Sequence, residues 1–189
     1  FDVGANVGAY SLLIGKILEN GNGSVYAIEP ESKNFAALNR NIILNQLTEK
    51  VIAYSFAFGD RRRESKFFLS STITGSSMHS IDKPESDRRT FAPHHIQGVL
   101  LESMDDFVSN DDVKTPNHIK IDVDGVEKMI ICNMSRLLSD KGLRTIMIEI
   151  ETELSGGVIE ETLFNAGFQE IMREQWKNRT IYNVLYART

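Results

Sequence analysis

Apolar runs and helical patterns alternate along this chain, and glycine-rich or polar breaks separate them. Val3 leads directly into Gly4-Ala5-Asn6-Val7-Gly8, after which Tyr10, Leu13, Ile14, Ile17 and Leu18 recur at the spacing of one helix. Gly21 to Gly23 ends that helix, and Val25 to Ile28 reads as a buried strand. Ser32 is the expected N-cap of a second helix lined by Phe35, Leu38 and Ile42, and Val51 to Ser55 forms a third strand. Phe67 to Leu69 and Val99 to Leu101 predict shorter strands. Beyond them come strand Ile119 to Val123, helix Val126 to Leu138, strand Thr145 to Ile150 and helix Val158 to Ala166, which Gly167 closes. Ile171 and the alternating segment from Thr180 to Ala187 complete the sheet. Strands separated by helices predict an α/β fold, with a mostly parallel sheet, helices on both faces and ligands at the carboxyl ends of the strands.

Residues 70–98 break this rhythm. They are rich in Ser, Thr, Asp, Pro and His, show no sustained periodicity and are long for a connector. Two readings stand: a lid over an acceptor pocket, or a surface excursion.

The glycine turn and Glu29-Pro30 together suggest a nucleoside site. Gly4 and Gly8 permit a tight turn that brings backbone N–H groups toward a ligand and feeds a helix N-terminus. Glu29, at the end of the next strand, lies at the distance where a carboxylate accepts both hydroxyls of a ribose. A dinucleotide fingerprint would require glycine where Asn6 stands, so the close approach of a pyrophosphate is disfavoured. Asp2 would also repel phosphate and attract an ammonium. Ribose, adenine and a zwitterionic amino-acid tail fit better, which points to S-adenosyl-L-methionine.

Several segments, in this order and spacing, carry a family likeness. They are Asp2 to Gly8 with Tyr10-Ser11, Glu29-Pro30 with Asn34-Phe35 and Asn39-Arg40-Asn41, Ala57 to Asp60, Ser76-Ser77, Met104 to Asp106, Ile119 to Glu127, Ile148 to Ile150, and Tyr182 to Tyr186. In these the chain resembles the FkbM-like S-adenosylmethionine-dependent methyltransferases over nearly its whole length. The resemblance implies a Rossmann-like class I methyltransferase fold with a seven-stranded sheet whose last strand is antiparallel, and most often O-methylation. One departure is Asp124, where the family usually has Glu, so any role for that side chain must work with one methylene less of reach. The expected cofactor-binding residues are Asp2, Gly4, Ala5, Asn6, Gly8, Tyr10, Ser11, Glu29, Pro30, Phe35, Ala57 and Asp122.

A second chemical cluster comprises Asp122, Asp124 and Glu127. Asp122 ends a buried strand, while Asp124 and Glu127 sit where a carboxylate would cap or complement the next helix. An alcohol needs help losing its proton at neutral pH, so Asp122, Asp124, Glu127 and His79 are the catalytic candidates. The carboxylates also suit a divalent ion, but no further ligand set follows at a recognisable spacing and no metal is expected. His94-His95 and His118 carry less weight, because adjacent strand residues point oppositely and His118 precedes its strand.

Composition narrows the partners. The 189 residues are 41% hydrophobic and 25% charged, enough for one domain with a full core, and 21 Lys and Arg against 26 Asp and Glu give a net charge of −5. A broad nucleic-acid surface is not expected, and Arg61-Arg62-Arg63 reads as a solvated turn. Cys132, in an apolar run, reads as a small core residue. No apolar run reaches the roughly 20 residues of a membrane span. The partner expected is a small-molecule or glycosidic methyl acceptor, with the oligomeric state open. The chain enters its glycine turn after three residues, which suggests an N-terminal truncation. A soluble protein is expected, with the cytoplasm as the favoured compartment and the localisation open. Two rivals are a nucleotide-dependent oxidoreductase and a noncatalytic domain that keeps the fold as a scaffold.

Overall fold

The structure is a computed structural model and describes residues 1–86, 89–110, 112–155, 157–175 and 180–188. The chain divides into two compact units, Phe1–Ala57 with Glu64–Leu100, and Phe58–Arg63 with Leu101–Thr189. Seven strands form one mixed, mostly parallel sheet, as expected from the alternation of strands and helices.

In the first unit, β1 (Asp2–Val3) leads through the glycine turn to α1 (Ala9–Ile17), β2 (Val25–Ile28), α2 (Ser32–Leu44) and β3 (Val51–Tyr54). The three strands run parallel, with Val3 opposite Ile28 and Val25 opposite Val51. Ala5, Val25, Ala27, Leu38, Ile42, Leu47 and Val51 pack into a core, where a fully buried leucine such as Leu38 contributes about 1.5–3 kcal/mol. The helix expected from Tyr10, Leu13, Ile14 and Ile17 is present, but these residues face outward, at 47%, 58%, 38% and 73% exposure. Its buried positions are Ser11 and Gly15. The reason is close packing: a Cβ on Gly15 would lie 2.7 Å from Val51 Cγ2, so only a small-residue face can lie against β3.

The N-cap of α2 is Glu31, one residue before the expected Ser32. Glu31 has extended backbone angles and its carboxylate accepts from Asn34 N at 2.6 Å, while the Ser32 N–H is already taken by Gln97 Oε1. Further along lie β4 (Ala57–Phe58), β5 (Arg63–Leu69), β6 (Ser80–Ile81), β7 (Glu85–Ser86), β8 (Arg89–Thr90) and β9 (His95–Glu102). β4, β9, β5 and β6 form a four-stranded sheet in that order, and β7 pairs with β8. Part of the 70–98 stretch is therefore regular strand, hidden in the sequence because strands of two residues are too short to show alternation. Residues 87 and 88 of that stretch lie outside the described residues.

The second unit contains α3 (Met104–Phe107), β10 (His118–Ile121), α4 (Glu127–Cys132), α5 (Ser135–Ser139), β11 (Thr145–Glu151), α6 (Thr152–Ser155), α7 (Val158–Asn165), β12 (Phe168–Gln175) and β13 (Ile181–Arg188). β10 and β11 are parallel, and β13 is antiparallel to both β11 and β12, as the family likeness implied. The single helix expected over Val126 to Leu138 is two helices. Asn133 turns its amide back onto Met129 O, and Asp105 accepts from Arg136 N and Leu137 N, so α5 starts with its own cap. Cys132 is exposed rather than in the core, because α4 buries Ile130 and Ile131 instead. Arg188 joins several elements: its guanidinium donates to the carbonyls of Leu138, Asp140, Leu143 and Ala166 and lies 4.3 Å from the centre of the Phe168 ring. Among the described residues, no helix is long and apolar enough to cross a membrane.

Candidate active site

The glycine turn wraps the end of β2. Gly4 and Gly8 adopt left-handed angles, φ 79° and 96°, and Asn6 joins them at φ 51°. The N–H groups of Gly4 and Ala5 both donate to Ile28 O at 3.0 Å, and Asn6 N donates to Glu29 Oε2 at 2.8 Å. Val7 N donates to Asn6 Oδ1 and Gly8 N to Ala5 O, each at 2.8 Å. Every backbone N–H from Gly4 to Gly8 is thus engaged within the chain. This differs from the expectation that the turn presents its N–H groups to a ligand; a side-chain carboxylate and an amide have taken the place of an anion.

Glu29 is buried, and its other oxygen, Oε1, accepts from Glu31 N at 2.8 Å. The carboxylate is held at both oxygens beside the turn. Each oxygen can accept more than one hydrogen bond, so this group suits a vicinal diol. Pro30 O accepts from Gln97 Nε2 at 2.7 Å, which fixes the segment after β2 from a second side. Asp2, also buried, accepts from Ser11 Oγ at 2.5 Å and so ties β1 to α1. Tyr10 is exposed, Phe35 packs on the edge of the core and Ala57 is buried in β4. The structure brings Asp2, Gly4, Ala5, Asn6, Gly8, Ser11 and Glu29 together around one turn.

Residues 70–79 fold back toward this turn. Ser76 O accepts from Asn6 Nδ2 and from Asn34 Nδ2, each at 3.2 Å, and Gly75 N donates to Asn34 Oδ1 at 2.7 Å. Lys33 Nζ reaches Thr72 O at 2.8 Å. His79 lies at the base of the segment, where its Nδ1 accepts from Ser70 N at 3.2 Å and its ring meets Phe67 edge-on. Burial pushes the imidazole below its ordinary value of 6.5, against the opposing effects of Glu31 and of a hydrogen bond to the Ser76 backbone. Asn34, Glu31 and Gln97 were not singled out from sequence as site residues. Asn34 belongs to the family-like Asn34-Phe35 pair, but nothing in the pattern of Gln97 marks it.

In the second unit, Asp122 lies just beyond β10 and pairs with Lys120 at 3.1 Å. Asp124 is exposed on the following turn. Glu127 is only partly covered as a whole residue, yet its carboxyl end turns inward and Oε1 accepts from Val123 N at 3.3 Å and Gly125 N at 3.2 Å. Desolvation pushes this carboxyl group up to about 8, despite those backbone donors. Among the described residues, no group of three or more His, Cys, Asp or Glu is arranged to hold a metal ion.

A parallel-dominated sheet, a glycine turn after its first strand and a buried carboxylate after its second place this chain in the α/β class. The profile of the methyltransferase FkbM domain matches residues 2–177, and the chain belongs to that family. The family points to S-adenosylmethionine as the cofactor. Among solved structures, a methyltransferase FkbM from Methylobacillus flagellatus KT aligns with a TM-score of 0.67 at 14% identity, over 98% of this chain and 42% of that one. A precorrin-6y C5,15-methyltransferase from Geobacter metallireducens aligns with a TM-score of 0.54 at 14% identity, over 100% and 78% of the two chains. TrmK of M. capricolum, solved with its cofactor product S-adenosyl-homocysteine, aligns with a TM-score of 0.53 at 10% identity, over 100% and 61%. At such identities the likeness is one of fold, and this chain spans less than half of the Methylobacillus protein. The comparison with curated proteins returned no match.

Proposed function

We propose that this chain is an S-adenosylmethionine-dependent methyltransferase acting on an oxygen of a small-molecule or glycosidic acceptor. The observation that carries the reading is the Glu29 carboxylate, buried and held by Asn6 N and Glu31 N, beside a turn whose N–H groups are already engaged. A pyrophosphate would require those N–H groups as donors. A ribose diol requires an acceptor, and Glu29 is one. The residues present therefore fit S-adenosylmethionine better than a dinucleotide.

Glu29 would accept the ribose hydroxyls, the Asp2 to Gly8 turn with Ser11 would hold the amino-acid tail, and Tyr10, Pro30, Phe35 and Ala57 would line the remainder; Asp122 is the further residue proposed for the cofactor. The bound cofactor supplies an electrophilic methyl group on a sulfonium. The protein's part is to align the acceptor hydroxyl and take its proton. Asp122, Asp124, Glu127 and His79 are the groups proposed for that proton. Glu127 is protonated below about pH 8 and becomes a base only as that range is reached.

Calorimetric titration with S-adenosylhomocysteine and with NAD tests the cofactor. Binding of the first and not of the second is expected, and the opposite result overturns the reading. A methyl-transfer screen over sugars, polyketides and lipid head groups then tests the acceptor class. Cofactor binding with no turnover on any of them would favour a noncatalytic scaffold.

A further inference from the structure

Residues 70–79 form a strap that is fastened by polar groups rather than by packing. Its neck is closed by Ser70, whose N–H donates to His79 Nδ1 and whose Oγ donates to Ser77 O at 3.0 Å. Its far end is held by the Asn6 and Asn34 amides on Ser76 O and by Gly75 N on Asn34 Oδ1. Ile73 and Met78 on this strap are exposed, so little apolar burial opposes its release. A segment held by a few hydrogen bonds and little packing opens at low free-energy cost.

The two amides occupy different surroundings. Asn34 is 2% exposed at the start of α2, and Asn34 N is bound to the Glu31 carboxylate, so its side chain starts from a fixed backbone. Asn6 sits at φ 51°, its N–H on Glu29 Oε2 and its Oδ1 on Val7 N. Glu29, Asn6, Ser76 and Asn34 are thereby linked in one chain of hydrogen bonds running from the proposed ribose carboxylate to the strap. Any ligand that steadies Glu29 steadies Asn6, and through it the Ser76 carbonyl. The coupling is reciprocal, because a seated strap also fixes the turn that presents Glu29.

We propose that Asn34 is a positioning residue that couples the strap of residues 70–79 to cofactor occupancy through Ser76 and Asn6, so that the strap seats when the ribose is bound. This rests on the cofactor reading given above. Its consequence is an order of events in which cofactor binds first and the seated strap then completes the surface an acceptor meets.

Hydrogen exchange and calorimetry with S-adenosylhomocysteine on the full chain test the inference. In the wild type, exchange in residues 70–79 should slow at least tenfold on saturation. Asn34→Ala should bind the same ligand several-fold more weakly, with that slowing lost and protection of the glycine turn retained. Gly75→Ala is the second variant: the left-handed φ of 87° strains alanine there, while no atom lies within 4 Å of the new Cβ, so α2 is left intact. It should lose the slowing as well. A merely structural Asn34 would lower the melting temperature and leave ligand-induced protection of the strap in place, which overturns the proposal. Binding to the wild type without slowing of the strap overturns it too, with the cofactor reading intact. An absence of binding to the wild type removes the cofactor reading and this inference together.

Discussion

In the glycine-turn unit, Asp2, Glu29 and Glu31 are 2%, 6% and 4% exposed, and each accepts a hydrogen bond from a defined donor. In the other unit, Asp122 and Asp124 face solvent, and Glu127 alone is turned inward. Burying a carboxylate without partners costs several kcal/mol, so the first set is sustained only by its donors. Such a set is held in one geometry, which is what the cofactor proposed for it would need. Asp122, paired with Lys120, and Asp124 lie at the surface, where the proposed role toward a group arriving from solvent would require them.

The variants that separate these regions most sharply remove a base. Asp122→Asn and Glu127→Gln should each lower turnover by roughly 10²–10⁴ where the residue takes the proton, with S-adenosylhomocysteine affinity nearly unchanged. If Glu127 is the base, wild-type turnover should climb toward pH 8 and level above it, and Glu127→Gln should abolish that rise. The same group should act on stability. Its folded value lies above its ordinary 4.5, so its contribution is fully present below pH 4.5 and is lost as the pH rises through about 8. Melting curves across that window, with and without Glu127→Gln, check the sign. Normal turnover in both variants would move the search for the base to Asp124 or His79.

A smaller effect is expected in the buried set. Glu29→Ala removes the acceptors proposed for the ribose, each charge-assisted bond being worth on the order of 1.5–3 kcal/mol, so calorimetry should read at least a tenfold loss of S-adenosylhomocysteine affinity. Unchanged affinity would end the ribose assignment.

The next prediction concerns backbone geometry. Gly8→Ala would force alanine to φ 96° and bring its Cβ within 2.6 Å of Leu38 Cδ1, a loss of about 1–3 kcal/mol visible in thermal melts. A melt identical to the wild type would mean that the turn is looser than its angles indicate. Smallest of all, Asp105→Ala should cost about 1 kcal/mol by uncapping α5 and leave turnover intact, a control for any carboxylate that only ends a helix. A large drop in turnover from Asp105→Ala would erase the contrast between capping and catalytic carboxylates.

What could be read in the sequence follows from which interactions are local. Val25 to Ile28 is apolar throughout because both faces are covered, and it was legible as a strand without further knowledge. The place of Glu29 beside the glycine turn was legible because its distance from the turn is set by one helix and one strand. The orientation of α1 was not, since apolar periodicity marks a stripe and cannot say that Ser11 and Gly15 on another face make the closer contact. Nor was the strap. Asn6 and Asn34 meet Ser76 across 70 and 42 residues of sequence, and an amide gives no sign of so distant a partner. The break between α4 and α5 depends on Asp105, some 30 residues upstream, and is hidden for the same reason.

Arg188 has a consequence for synthesis. The carbonyl ends it gathers at Leu138, Asp140, Leu143 and Ala166 are translated 22 to 50 residues before it. At typical ribosomal speeds the earliest of them waits roughly 3–10 s for its guanidinium partner. During that interval the four carbonyls lack their guanidinium donor. The unit can therefore reach its final closure only after residue 188 has cleared the ribosomal tunnel, which places that closure after the synthesis of every strand in the unit.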